Sequence, residues 1–250
     1  NNLNMNLFDG ITEYLLVMKK TFTRPVKFKT MVQQVLHEMY YLGVESLPIV
    51  CFLSLFIGIV VMIQIAFQME SPLIPKYTAG FITRVVIIYE FSPTIMSMLL
   101  SGRVGSRIAA EIGTMKVTEQ IDALEVMGIN SASYLILPKI IAFVLIMPVI
   151  ITFSIFCGLF GGYLITMGTG EIPTSEYFYG LRAFFTSFEV TYALIKSLFF
   201  GFIITSISGY YGYIVEGGAL EVGKNSTKAM VQSSIFIIIF DVILTQIFLG

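Results

Sequence analysis

Apolar residues fall along this chain in five long runs, and a sixth segment is apolar on one helical face only. Residues 47–67 contain no charged side chain, and residues 140–167 contain none either. Residues 79–100 are interrupted by Arg84 and Glu90, residues 190–215 by Lys196, and residues 229–249 by Asp241. A helix needs about 20 apolar residues to cross a bilayer, so each run predicts one membrane span. Ahead of the first run, Met31, Val32, Val35, Leu36 and Met39 recur at helical spacing beside basic residues. That pattern predicts a helix lying in the membrane interface, or an ordinary packed N-terminal helix. Pro48, Pro93, Pro138 and Pro148 fall at or within spans, where they are expected to end or kink helices.

Between the second and third runs lies residues 101–128, a charged amphipathic stretch. Ile108, Ile112 and Met115 share one helical face, and Ile121, Leu124 and Met127 share another. Thr118 is placed to cap a short second helix whose first turn holds Glu119 and Asp122, and Gly128 to end it. The pattern reads as a helix pair with apolar and acidic faces, or as a solvated connector.

Composition removes the soluble alternatives. Hydrophobic residues make up 56% of the chain and charged residues 12%, more apolar surface than one water-soluble core of this size can hide. No signal peptide is expected, because the first basic residues lead into an amphipathic segment rather than a short apolar run. The chain starts at Asn1 without Met, so a few upstream residues are expected. Lys19, Lys20, Arg24, Lys27, Lys29, Arg103, Arg107, Lys116, Lys139, Lys224 and Lys228 fall on one side of a five-span arrangement; Lys76 and Arg182 fall on the other, with Arg84 near it. The positive-inside rule puts the N-terminus in the cytoplasm and the C-terminus outside. Five spans also argue against two equal inverted halves.

Charges inside spans cost roughly 2.5–3.5 kcal/mol each at a helix centre and are seldom kept without a partner or a role. Glu90, Lys196 and Asp241 fall at similar depth. Lys196 can therefore pair with Glu90, with Asp241 or with both, either as a static brace or as the lining of a polar cavity. Val61, Gln64 and Gln68 on the first span are expected to line such a cavity. Small residues at Ser197, Gly201, Thr205 and Gly209, and at Gly158 and Gly162, predict close helix packing within the chain more than dimerisation. Cys51 and Cys157 are expected near opposite membrane faces as small core residues. His37, the only histidine, reads as a surface or interface polar group rather than a ligand. The Gly218–Asn225 segment departs from a phosphate-binding loop at Asn225 and follows a membrane helix, so no nucleotide site, cofactor or metal site is expected.

Several of these motifs carry a resemblance. Glu90-Phe-Ser-Pro93, Gly102-Arg-Val-Gly-Ser106, Ala109-Ala-Glu-Ile-Gly113, Thr118-Glu-Gln120, Met127-Gly128, Pro138-Lys139, Gly161-Gly162, Leu194-Ile-Lys-Ser197 and Asp241 resemble the MlaE/YrbE permeases, membrane subunits of lipid-transporting ABC systems that work with MCE proteins. The resemblance covers nearly everything beyond about residue 30. It implies an all-α integral membrane protein of the bacterial inner membrane: residues 1–46 as N-terminus and interfacial elbow helix, residues 47–250 as a five-span permease, and a cytoplasmic coupling helix within 104–128. It implies that Glu111, Lys116, Glu119, Asp122 and Glu125 engage a cytoplasmic ABC ATPase. Further implied partners are a second copy of the chain, a periplasmic MCE-domain ring, a small STAS-domain protein and phospholipid, and no nucleic acid. In relatives a carboxylate on the second span and a lysine on the fourth matter to transport, matching Glu90 and Lys196. The chain departs at Tyr89, where many relatives carry Arg, which leaves Lys196 as the cation for a lipid head group.

The expected function is thus a permease subunit, itself not an enzyme, moving phospholipid between the inner and outer membranes. The competing expectation is an ATPase-independent channel or ion-coupled carrier using Glu90, Lys196 and Asp241.

Overall fold

The computed structural model describes residues 2–23, 28–68, 75–170 and 172–249. Arg24 and Lys27 of the basic cluster lie outside the described residues. Its helices are α1 (Asn2–Phe22), α2 (Phe28–Glu38), α3 (Leu47–Gln68), α4 (Tyr77–Val86), α5 (Met96–Leu100), α6 (Ser106–Val117), α7 (Gln120–Val126), α8 (Ser131–Thr169), α9 (Thr174–Arg182), α10 (Ser187–Tyr213) and α11 (Ala219–Leu249). Among the described residues, five helical runs are long and apolar enough to cross a membrane: Lys29–Gln68, Tyr77–Val117, Ser131–Thr169, Ser187–Tyr213 and Ala219–Phe248. The chain is an all-α membrane protein.

The spans are longer than their apolar cores. α2 continues into α3 through π-helical Met39–Gly43 and a 3₁₀ turn at Val44–Ser46. The second run is continuous from α4 to α6 through π-helical turns at Ile87–Ile95 and Ser101–Gly105. The charged stretch is therefore not a separate loop at its start: its first half, α6, is the second span carried onward. α8 reaches about 58 Å at 1.5 Å per residue, about twice a hydrocarbon core. None of the four prolines ends its helix. Pro48 sits in the first turn of α3, just past the 3₁₀ turn; Pro93 lies in a π-helical turn; Pro138 and Pro148 lie within α8.

Two sets of glycines set the packing. A Cβ on Gly58 would land on the carbonyl oxygen of Gly158, and one on Gly161 on that of Leu55. α3 and α8 are thus in backbone contact, with Ser54 Oγ and Ser154 Oγ 2.7 Å apart beside them. Gly201 faces Val144 and Met147, and Gly209 faces Ile136, so the small-residue ridge of the fourth span seats α10 on α8 within the chain.

The cysteines are a correction. The first span belongs to one helical run from Lys29 to Gln68, so Cys51 lies well inside that run, level with Cys157 on the adjacent α8. The two free thiols are neighbours instead of lying at opposite faces.

α1 was not predicted. Tyr14 donates to Ser206 Oγ (3.0 Å), Tyr210 donates to Glu13 (3.2 Å), and Asn130 Nδ2 donates to the Lys20 and Thr23 carbonyls (2.8 and 2.6 Å). α1 is thereby held against α10 and the start of α8. On α2, Val35 is buried while Val32 and Leu36 stay exposed, and the His37 ring lies tilted against that of Tyr41 with centroids 4.5 Å apart.

Candidate functional site: a buried charge trio and a tethered helix

Pro93 is the local origin of the first site. It has no N–H to return to the carbonyl of Tyr89 four residues back, and the helix widens into a π turn around Glu90. Lys196, brought in on α10, donates to that Tyr89 carbonyl at 3.1 Å. Lys196 Nζ also lies 2.7 Å from Asp241 Oδ1 on α11 and 3.4 Å from Glu90 Oε1. The structure forms both of the pairs that matched depth allowed. Thr94 donates to Asp241 Oδ1 at 2.8 Å and sits 3.4 Å from Glu90 Oε2. Tyr192 places its ring 4.8 Å from the ammonium and shares a hydrogen bond with Thr245.

Exposure divides the trio. The side chain of Lys196 is 0% exposed, Asp241 15% and Glu90 47%. Lys196 is the hidden centre and Glu90 the member that meets the surroundings. Of the expected cavity residues, Val61 packs with Met62, Ile65, Ala79, Ile172 and Tyr177, while Gln64 and Gln68 are exposed on α3. None of the three bonds to the trio.

A second buried pair escaped sequence reasoning. Arg84 and Glu189 meet at 3.1 Å, both nearly inaccessible, and Arg84 also donates to the Leu181 and Ala183 carbonyls at 2.8 Å each. The signal was present: Glu189 immediately precedes the fourth apolar run, at the same end as Arg84.

The charged stretch forms the other site. Ile108 and Ile112 are fully buried and Met115 partly so, as is Leu124, whereas Ile121 is buried and Met127 is open. Gly128 ends α7 at φ +75° as expected. Thr118 does not cap α7: its hydroxyl donates back to the Thr114 carbonyl, and left-handed Glu119 (φ 59°) takes the N-cap position. The chain must reverse between α6 and α7 in very few residues, and that left-handed residue makes the turn.

Four of the five coupling candidates are bonded within the chain. Glu111 lies 2.8 Å from Lys139, a buried cation that also holds Glu38 at 2.6 Å, linking α6, α8 and α2. Lys116 pairs with Asp122 at 2.8 Å. Glu125 accepts from Lys20 (2.6 Å), Ser131 (2.8 Å) and Tyr213 (3.0 Å), joining α7 to α1, α8 and α10. What remains outward on α7 is one face holding Glu119, Asp122, Ala123 and Val126, the last 89% exposed.

Hydrogen bonds from Lys20 and Ser131 hold the Glu125 carboxyl down at about 2, against burial that pushes it up. A carboxylate with a lowered folded value stabilises above its ordinary 4.5 and loses that contribution as pH falls toward about 2. Protection of α1 is expected to hold at neutral pH and to fade below about 4.5. Glu125→Gln is expected to mimic the acid state at pH 7, raising tryptic cleavage at Lys19 and Lys20 by about threefold or more. Unchanged cleavage in that variant counts against the tether.

Residues 35–247 match the family described as Permease MlaE. A probable ABC transporter permease protein of Rickettsia bellii is 35% identical, covering 90% of this chain and 85% of its own length. The corresponding Synechocystis protein slr1045 is also 35% identical, covering 84% and 80%. The intermembrane phospholipid transport system permease protein MlaE of Haemophilus influenzae is 31% identical, covering 85% and 82%. With its span pattern and charge trio in place, the chain belongs to the MlaE permease family.

Proposed function

We propose that this permease moves phospholipid between two membranes, driven by ATP hydrolysis in a separate subunit that docks on α7. The observation that carries the reading is the outward face of α7. Glu119 and Val126 face outward, and Asp122 stays exposed although it pairs with Lys116, while Glu125, on the same short helix, is bonded to three other helices. A push on that face would pass into α1, α8 and α10, and α10 carries Lys196. Pairing acidic groups with an apolar residue suits a partner surface that is basic at its rim and apolar at its centre. The name of the Haemophilus relative supports phospholipid as cargo.

The basic residues at the α7 end support a cytoplasmic location for α7 and the N-terminus. The remaining parts of the proposal are a homodimer enclosing a lipid cavity, an MCE-domain ring on the opposite side, and a small STAS-domain protein. Gln64 and Gln68 fit an edge of that cavity, and the charge trio its polar point.

The test is co-purification. A tagged wild-type chain is expected to recover a nucleotide-binding subunit from its native membrane. Glu119→Lys with Asp122→Lys is expected to cut that recovery about tenfold or more, since each reversal turns an attraction into a repulsion. Undiminished recovery refutes docking at α7, and lipid transport by the purified chain alone favours the channel or carrier.

A further inference from the structure

The trio's bonding says which part of a lipid head group it can hold. An ammonium has three N–H donors. Those of Lys196 go to Asp241 at 2.7 Å, the Tyr89 carbonyl at 3.1 Å and Glu90 at 3.4 Å, and the side chain is wholly inaccessible. No donor is left for a phosphate. The other cation buried in this part of the bundle, Arg84, bonds Glu189 and two carbonyls through its terminal nitrogens; its Nε has no partner, but the side chain is 2% exposed and out of a phosphate's reach. Position 89 is a tyrosine, so the π turn adds no cation of its own.

The acidic side has capacity to spare. One ammonium faces two carboxylates, a formal charge of −1 for the three groups. Asp241 takes the short bonds from Lys196 and Thr94; Glu90 has only the 3.4 Å contacts and is 47% exposed. An approaching phosphate would therefore meet a carboxylate before it met any cation. Beside Glu90 in sequence stands partly exposed Tyr89, whose ring can face a cation. Exposed Ile95 on the same π turn, and Ile238 and Val242 on α11, supply apolar surface of the kind acyl chains cover.

We infer that the site selects lipids by a cationic amine: the open carboxylate of Glu90 receives the ammonium of a zwitterionic aminophospholipid, and Lys196 serves to hold Glu90 and Asp241 rather than to grip phosphate. The inference rests on the lipid-permease reading, yet its test separates the two.

The purified assembly containing the full chain is offered equal amounts of phosphatidylethanolamine and phosphatidylglycerol with identical acyl chains, and bound lipid is counted by mass spectrometry. A charge-assisted hydrogen bond predicts a preference of about tenfold or more for phosphatidylethanolamine in the wild type. Glu90→Gln keeps the side chain's size and an oxygen for Lys196, while Asp241 still neutralises the ammonium. It is expected to bind lipid with the preference reduced to about twofold or less. The wild-type ratio tests the idea without relying on any variant. Equal binding, or a preference for phosphatidylglycerol, overturns amine selection and leaves lipid transport standing. Failure to bind either lipid overturns both. Free ethanolamine at the same concentration is expected to leave the bound lipid in place; displacement by it would assign the site to a soluble amine and overturn the lipid assignment.

Discussion

Lys196→Ala is expected to reduce lipid transport about tenfold or more while the chain still inserts into the membrane. Breaking a buried ionic cluster by removing one partner costs about 3–5 kcal/mol, because charge is left uncompensated. Here the partner removed is the only cation, and its loss leaves Asp241 and Glu90 on adjoining helices with Thr94 as their remaining shared donor. The carboxylates must then take up protons or move apart, and either change removes the arrangement that presents Glu90. Insertion is spared because the fourth apolar run becomes more apolar, not less. Transport into acceptor vesicles and the amount of protein in the membrane fraction are to be measured together. Lys196→Met combined with Asp241→Asn separates stability from function: with both buried charges gone, thermal stability should recover relative to Lys196→Ala, while transport should not. Wild-type transport in Lys196→Ala would reduce the trio to a packing device.

The trio was legible in the sequence because an ionisable residue in an apolar run is conspicuous and its depth can be counted from the run's end. Which carboxylate would take Lys196 was not legible. That depends on the π turn at Ile87–Ile95, and a hydropathy pattern does not distinguish an α from a π turn. The same blindness hid the continuity of α4 through α6. Gly102 and Gly105 beside Arg103 and Arg107 close the apolar run, yet the helix runs on with neighbours filling the space around them: Ser208 and Ile204 against Gly105, Met230 against Gly102. α1 was missed for another reason. Its docking partners, Ser206, Tyr210, Asn130 and Glu125, lie over 100 residues away, so nothing local marks its packed face. The pairing of Cys51 with Cys157 shows that where a long helical run begins decides the level of everything along it. A span's apolar core fixes only its minimum length.

Gly58→Leu is expected to lower the melting temperature by roughly 10 °C or more, or to abolish recovery of folded protein. A Cβ at this position meets the backbone of Gly158, which cannot rotate aside as a side chain would, so α3 and α8 must separate along their contact. Overpacking a core typically costs about 1–3 kcal/mol, and a clash with backbone lies at or beyond the upper end. Gly168→Ala is the matched control: it lies in α8 with open space where its Cβ would go, and replacing a helical glycine by alanine is worth up to about 1 kcal/mol in favour of folding. The pair separates a general intolerance of larger residues at helical glycines from a specific need for close contact at Gly58. That contact also reaches the charge trio. Ser154 on α8 bonds at once to Ser54 on α3 and to Ser92, two residues from Glu90 in the π turn. Forcing α3 from α8 therefore pulls on the segment that holds Glu90. A milder wedge, Gly58→Ala, is expected to lose transport before it loses the fold, as followed by transport and thermal melting on one preparation. Full transport in a Gly58→Ala protein of lowered melting temperature would show that the seam bears on stability alone.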